Sequence, residues 1–183
     1  MEAHVIAATR AWVKDVVIGL DLCPFAAAVF EKRLRFHVSD AQDAFGVMET
    51  LVGELVTLAD ADPEEVATTL VMTPRAFPAF ETYAAFLHRV DLLLEEMHLK
   101  GVIQVASFHP EYRFAGATDD DAANYTNRSP YPTFHLIRET SVSEAVTKHP
   151  DTLAIPEANI VKLQAIGAEE MAGRLRACHG RET

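Results

Sequence analysis

Four short stretches of the chain carry the pattern of β-strands. Residues 33–38 read RLRFHV, so that apolar and polar side chains alternate between two faces. Residues 133–138 read TFHLIR, which places His135 on one face together with Thr133 and Ile137. Two further stretches are almost wholly apolar, as expected of strands that are covered on both faces: TTLVM at 68–72 and VIQVASF at 102–108.

The segments between and around these strands have apolar residues three and four positions apart, which indicates helices. The clearest case is residues 78–100, where Gly101 stands at the expected C-terminal stop. Asp40 is the predicted N-cap of a helix that the acidic stretch ADADPEE ends. The remaining predicted helices are residues 5–20, residues 141–150 with a capping box at the start, and a last helix from Pro156.

This order of elements predicts an α/β fold, built as a single layered domain over residues 1–183. We expect about four strands in a mixed but mostly parallel sheet, packed with about five to six helices. Because helices connect the first three strands, we expect parallel pairing among at least these three.

The composition is that of a folded protein, with 49% hydrophobic and 23% charged residues. A formal net charge of −11 disfavours nonspecific binding to nucleic acids and to anionic membranes. No apolar run approaches the ~20 residues of a membrane helix, and the N-terminus lacks the plan of a signal peptide. We therefore expect a cytoplasmic protein with no nucleic-acid or membrane partner.

The chain has two cysteines, Cys23 and Cys178, which do not form a disulfide framework and are expected to be free thiols. Cys23 precedes Pro24 in the segment LCPFA, and a thiol in such a turn is a candidate nucleophile or metal ligand. The opposing interpretation is a buried core thiol, since the segment is apolar. Ala26 occupies the place of a second cysteine, which excludes a CxxC redox motif.

The connection over residues 109–132 is far longer than the median of ~4–6 residues, and long ordered loops often carry function. Its segment NYTNRSPYP offers amide, guanidinium and hydroxyl groups beside prolines that restrict the backbone. The opposing interpretation is that these Asn and Ser residues build turns. We predict that Asn127 is catalytic and that a small anionic substrate is bound by Tyr112, Arg113, Asn124, Arg128 and Ser129.

Two histidines complete the candidate catalytic set. His109 follows the third strand at an end where ligand-contacting residues collect in α/β sheets. His135 lies within a strand, where a histidine is more often a hydrogen-bonded structural residue. Cys23, His109 and His135 together would suit zinc or another transition metal, and a carboxylate from residues 119–121 is an alternative third ligand. No closely spaced motif such as HxH supports either set.

Three segments resemble a bacterial family catalogued as domain of unknown function 1415: WVKDVVIGLDLCPFA, GVIQVASFHPEYRFAG and NYTNRSPYPTFHLIRE. Weaker similarity continues through NIVKLQAIG, and the resemblance implies no particular activity, cofactor or partner. LCPFA and SPYPTFHLI also look like the Cys-Pro turn and the proline before a strand of thioredoxins. A thioredoxin-like variant is therefore the alternative fold, although a helix is predicted before Cys23 where that fold needs a strand.

The leading hypothesis from the sequence is a small enzyme whose site joins Cys23, His109 and the loop containing Asn127 and Arg128, with His135 nearby. Cys23 would be the nucleophile or a metal ligand, His109 the base or a second ligand, and Arg128 the clamp on an anionic substrate. The alternatives are a noncatalytic module that binds a metabolite and an interaction subunit. The sequence leaves the oligomeric state open.

Overall fold

The computed structural model describes residues 1–141 and 154–180. Its sheet consists of β1 (Leu34–Val38), β2 (Thr68–Met72), β3 (Ile103–Phe108) and β4 (Thr133–Arg138). The bounds of β2 and β4 equal the predicted ones, and β1 and β3 each begin one residue later. The α/β class predicted from the sequence is confirmed.

The strands follow the order β1-β2-β4-β3 across the sheet. β1 and β2 pair in parallel, whereas β4 pairs antiparallel with β2 on one side and with β3 on the other. The first three strands therefore point the same way, as their helical connections predict. Because β4 inserts between β2 and β3, two of the three pairings are antiparallel, which corrects the expectation of mostly parallel pairing.

Helices cover both faces of this sheet. Val71 and Phe134 point to a core shared with the third and fourth helices, and Leu70 points to a second core shared with the N- and C-terminal helices. The α-helices of the described residues are α1 (Glu2–Trp12), α2 (Ala26–Phe30), α3 (Ala44–Asp60), α4 (Phe80–Glu96), α5 (Ile155–Ile166) and α6 (Ala168–His179).

Three helix predictions differ from the structure. The N-cap of α3 is Asp43, whose side chain accepts a hydrogen bond from the Gly46 backbone N–H at 2.9 Å, and not Asp40. The single helix predicted from Pro156 is broken into α5 and α6 at Gly167, which adopts a positive φ of 90°. The helix predicted for residues 141–150 lies outside the described residues except for its first one.

The helix predicted over residues 5–20 consists of α1 and a π-helical segment, Val13–Ile18. The Gly19 N–H donates to the carbonyl of Lys14, five residues earlier. A Cβ atom on Gly19 would lie 2.4 Å from the carbonyl oxygen of Asp15, so only glycine fits here. The LCPFA segment follows shortly after this π-helical turn.

Helical structure therefore precedes Cys23, as predicted, where the thioredoxin-like alternative needs a strand. The helices of the described residues are also too short or too polar to cross a membrane. The face of the sheet that packs against α1 and the π-helical segment lines a cavity.

Candidate functional site

A cavity of about 420 Å³ lies between this face of the sheet and the LCPFA turn, in the size range of small-molecule sites. It brings together Cys23 from the turn, Asn127 from the long loop and His135 from β4. His135 reaches it because alternation along β4 places His135 and Ile137 on the α1 side of the sheet. Three of the four predicted catalytic residues thus border one space.

The walls of this cavity are mostly apolar, from Trp12, Val13 and Val17 on one side to Leu70 and Phe108 on the other. None of the described lining residues is Lys, Arg, Asp or Glu. Besides the cysteine, the polar lining residues are Thr68, Gln104, Thr126, Asn127, His135 and Ser141. The cavity therefore offers hydrogen bonds but no formal charge to an occupant from the described chain.

The proton position on His135 follows from its neighbours. Its Nε2 lies 2.7 Å from the Thr68 hydroxyl, and that hydroxyl lies 2.5 Å from the carbonyl oxygen of Leu136. The carbonyl can only accept, so the single hydroxyl hydrogen goes to it, and the hydroxyl accepts from His135 Nε2–H. The lone pair of the neutral ring is therefore on Nδ1.

Burial lowers the pKa of His135 to about 4. The ring is consequently neutral at physiological pH, in a form that accepts a hydrogen bond at Nδ1. A partly buried, neutral histidine with one ring nitrogen already hydrogen-bonded is suited to orient a ligand or to accept a proton from that ligand.

Cys23 is half-buried in the wall of the cavity. Burial raises the pKa of its thiol, and the charge of Asp21 raises it further. Hydrogen bonds from the backbone at Phe25 and Ala26 lower the pKa but do not cancel the effect of burial. The thiol is therefore protonated at neutral pH, so its surroundings do not activate it as a free thiolate.

The turn that carries Cys23 is held by side chains of α5. Asn159 Nδ2 donates to the carbonyl of Leu22 at 2.8 Å. Lys162 Nζ donates to the carbonyl of Leu20 at 2.6 Å and to that of Asp21, a residue with a positive φ of 50°, at 3.1 Å. The C-terminal part of the chain thus fixes the position of the thiol over the sheet.

Asn127 ties the long loop to the end of β3. Its Nδ2 donates to the carbonyl of Ser107 at 2.9 Å, and its own backbone carbonyl accepts from the His109 N–H at 3.1 Å. The Ser107 carbonyl can only accept, which places the side-chain oxygen Oδ1 of Asn127 away from it. That oxygen has no hydrogen-bond partner among the described residues.

His109 does not line the cavity, which corrects the prediction that it joins Cys23 and His135. The residue is 1% exposed, and its ring packs against Phe80 and Tyr83. Its Nε2 donates to the carbonyl of Phe77 at 3.0 Å, and its Nδ1 accepts from the Glu111 N–H at 3.0 Å. Both nitrogens are engaged, so His109 stabilises the start of the loop.

No group of three or more His, Cys, Asp or Glu side chains among the described residues is arranged to hold a metal ion. The proposed set of Cys23, His109 and His135 is therefore not assembled, because His109 packs on the α4 side of the loop. The alternative that combines His109 and His135 with a carboxylate from residues 119–121 is not assembled among the described residues either.

Arg113 and Arg128 lie at a second, polar recess of about 310 Å³ that shares no described lining residue with the apolar cavity. Arg113 forms ion pairs with Asp119 at 2.7 Å and Glu81 at 3.6 Å. Acidic side chains outnumber the two arginines there, since Glu111 is also present. This balance does not favour an anionic ligand.

The guanidinium of Arg128 serves the loop itself. Its Nε donates to the carbonyl of Tyr112 at 3.1 Å, and one terminal nitrogen donates to the backbone carbonyl of Asp119 at 2.9 Å. The same group lies 4.7 Å from the ring centroid of Tyr125. Arg128 and Tyr112 therefore close the loop, away from the cavity that holds Cys23.

Asn124 and Ser129, also predicted to bind substrate, are fully buried structural residues. Asn124 accepts from the Phe114 N–H at 3.1 Å and donates to the Thr118 carbonyl at 2.8 Å. The Ser129 hydroxyl donates to the carbonyl of Tyr131 at 2.6 Å. The interpretation of these polar residues as turn builders describes what they do in the structure.

Sequence reasoning did not single out Trp12, Thr68 or Gln104, which all line the cavity. Trp12 is one of several apolar residues on a helix face, and Thr68 begins an apolar strand. Gln104 carries the one available signal, as a polar residue within the otherwise apolar start of β3.

The chain matches the family model described as "Protein of unknown function (DUF1415)" over residues 4–173. No curated protein and no solved structure matches it. The matched range includes every described segment that forms the cavity. The chain therefore belongs to the DUF1415 family, as the resemblance of its three segments predicts.

Proposed function

We propose that the protein binds a small, uncharged and largely apolar molecule in the cavity formed by the LCPFA turn, the long loop and the sheet. The observation that carries this proposal is a space of about 420 Å³ with apolar walls and no charged side chain among its described lining residues. Apolar pockets with a few placed polar groups are typical of small-molecule sites.

The electrostatics of the described residues distinguish this ligand from the anionic substrate expected from the sequence. An anion moved into an apolar cavity loses its hydration and needs a cationic partner. Arg113 and Arg128 lie at the other recess, and the two titratable lining groups, Cys23 and His135, are both neutral at physiological pH. An uncharged ligand avoids that cost.

Trp12 offers a direct test, because it is the single tryptophan of the chain and lines the cavity. Titration with adamantanol, which is apolar and does not absorb where tryptophan is excited, should change the Trp12 emission saturably and raise the melting temperature. Filling the cavity with Ala106→Leu should abolish both effects. The same exchange at exposed Ala85 on α4 is the matched control and should leave both intact.

Binding that is unchanged in Ala106→Leu would place the ligand elsewhere and refute the proposal. A titration of the wild-type protein that does not saturate would also refute it. A circular dichroism spectrum and a melting curve of each variant without ligand establish that it is folded.

A cysteine-dependent enzyme is the second candidate, because Cys23 and His135 border the same cavity. In that case a bound substrate brings its electrophilic atom to the sulfur, and a base removes the thiol proton during the reaction rather than before it. The raised pKa of Cys23 makes the unliganded thiol slow to react.

Alkylation by iodoacetamide, followed by mass spectrometry, tests whether the surroundings of Cys23 activate its thiol before a substrate binds. We expect Cys23 to react slowly at pH 7, faster above pH 9, and more slowly again when adamantanol fills the cavity. Cys178 is 2% exposed and is the internal reference thiol. Rapid alkylation of Cys23 at pH 7 would show a thiol that is activated before substrate binds, and it would contradict the direction of the pKa shift.

A further inference from the structure

The hydrogen bonds around the cavity determine which kind of polar group its ligand should carry. This inference rests on the proposed function. The Thr68 hydroxyl donates to the Leu136 carbonyl and occupies Nε2–H of His135. The nitrogen left for a cavity occupant is Nδ1, which can only accept a hydrogen bond while the ring is neutral.

Asn127 adds a second acceptor to the same cavity. Its Nδ2 donates to the Ser107 carbonyl, so its Oδ1 is the atom without a partner in the described chain. The remaining polar lining groups, such as the Gln104 amide and the Ser141 hydroxyl, can either donate or accept and impose no preference. The indole N–H of Trp12 can only donate and also has no partner among the described residues, but its nitrogen is fully buried in the wall. The remaining groups with a fixed role are therefore both acceptors.

We propose that the ligand carries a hydrogen-bond donor, as an alcohol, phenol or neutral N–H compound does, and presents it to His135 Nδ1 and Asn127 Oδ1. Thr68 is then a positioning residue: it never contacts the ligand through its hydroxyl, and it sets the ligand preference by holding the proton of His135 on Nε2. A ligand that only accepts hydrogen bonds leaves both acceptors desolvated without a partner.

The test compares adamantanol with its methyl ether, which keeps the oxygen and the apolar cage but has no donor. In the wild-type protein, calorimetry should show the alcohol binding about three- to tenfold more tightly, the usual effect of one net hydrogen bond. In His135→Phe this ratio should fall toward one, while the ether still binds.

Thr68→Val removes the hydroxyl while keeping the shape of the side chain, and it frees Nε2 of His135. The ring can then carry its proton on either nitrogen, so Nδ1 is no longer fixed as an acceptor and the ratio of alcohol to ether affinity should fall. If the Thr68 hydroxyl had a purely structural role, its removal would weaken the binding of both ligands equally. The matched control is Thr57→Val, an exposed hydroxyl on α3 that bonds its own helix and should leave the ratio unchanged.

The proton position can also be read directly, because the long-range ¹H–¹⁵N spectrum of a histidine distinguishes a ring protonated at Nε2 from one protonated at Nδ1. The expected result is Nε2–H for His135 in the wild-type protein. A proton on Nδ1, or equal affinities of alcohol and ether in the wild-type protein, overturns this inference. Saturable binding of the ether with no preference for the alcohol would leave the proposed function standing, whereas binding of neither ligand would refute that function first.

Discussion

The pKa of His135 leads to a quantitative prediction for the pH dependence of stability. Its folded value of about 4 lies below the ordinary value of 6.5. Above pH 6.5 the ring is neutral in both the folded and the unfolded chain, so it adds no pH dependence to the free energy of unfolding. As the pH falls below 6.5, the unfolded chain binds a proton that the folded protein does not, so the free energy of unfolding decreases.

The loss amounts to about 1.4 kcal/mol for each pH unit between 6.5 and 4, or about 2.5 kcal/mol at pH 4.5. His135→Gln removes this titration while retaining an amide N–H that can donate to Thr68. Urea unfolding of both proteins from pH 7.5 to pH 4.5 should show the variant gaining that amount relative to the wild type.

Taking the difference between the two proteins isolates His135, because His109 and His179, whose pKa values are also lowered by burial, are present in both. A difference that stays constant across this pH range would mean that the ring protonates as easily in the folded protein as in the unfolded chain. That result would refute the argument that burial lowers the pKa of His135.

Two further predictions concern the fold around the site. Gly19→Ala places a Cβ atom 2.4 Å from the Asp15 carbonyl oxygen and should lower the free energy of unfolding by about 1–3 kcal/mol. Gly53 has open space around it, so Gly53→Ala should raise the free energy of unfolding by about 0.5–1 kcal/mol. Urea unfolding of both variants measures the two effects. Burial raises the pKa of Glu54, but the hydrogen bonds from Arg35 and the nearby positive charges outweigh it, so that the net shift is downward. Its stabilising effect is therefore fully present at pH 7 and is lost as the pH falls from 4.5 through the lowered folded pKa. Glu54→Gln should cost about 1–3 kcal/mol at pH 7 and progressively less as the pH falls below 4.5, measured by the same unfolding.

The local pattern of apolar and polar residues accounts for the strands that were predicted correctly. The strands β2 and β4 were located from alternation and apolar content alone, because those properties decide which side chains a strand can bury. The same alternation placed His135 and Ile137 on one face of β4. The N-cap of α3 was displaced by three residues, because Asp40 and Asp43 are equally suitable chemically and only the path of the chain selects Asp43.

The candidate site was predicted in part. Cys23, Asn127 and His135 line one cavity, because the turn after the π-helical segment, the end of the long loop and one face of β4 meet there. His109 and Arg128 carry equally reactive groups, yet their hydrogen bonds are committed to Phe77, Glu111 and the loop backbone. Those partners are far away in the sequence or irregularly spaced, so no sequence spacing indicates them.

The sequence alone located the four strands and the helices α3 and α4, and it identified the family and the absence of a CxxC motif, because each depends on neighbouring residues or on residue identity. The tertiary structure decided that β4 lies between β2 and β3, and through this placement it brought His135 beside Thr68. Strand neighbours, the proton position of a buried ring and the separation of the arginines from the cavity all depend on contacts between residues far apart in the chain. Side-chain periodicity carries no information about such contacts.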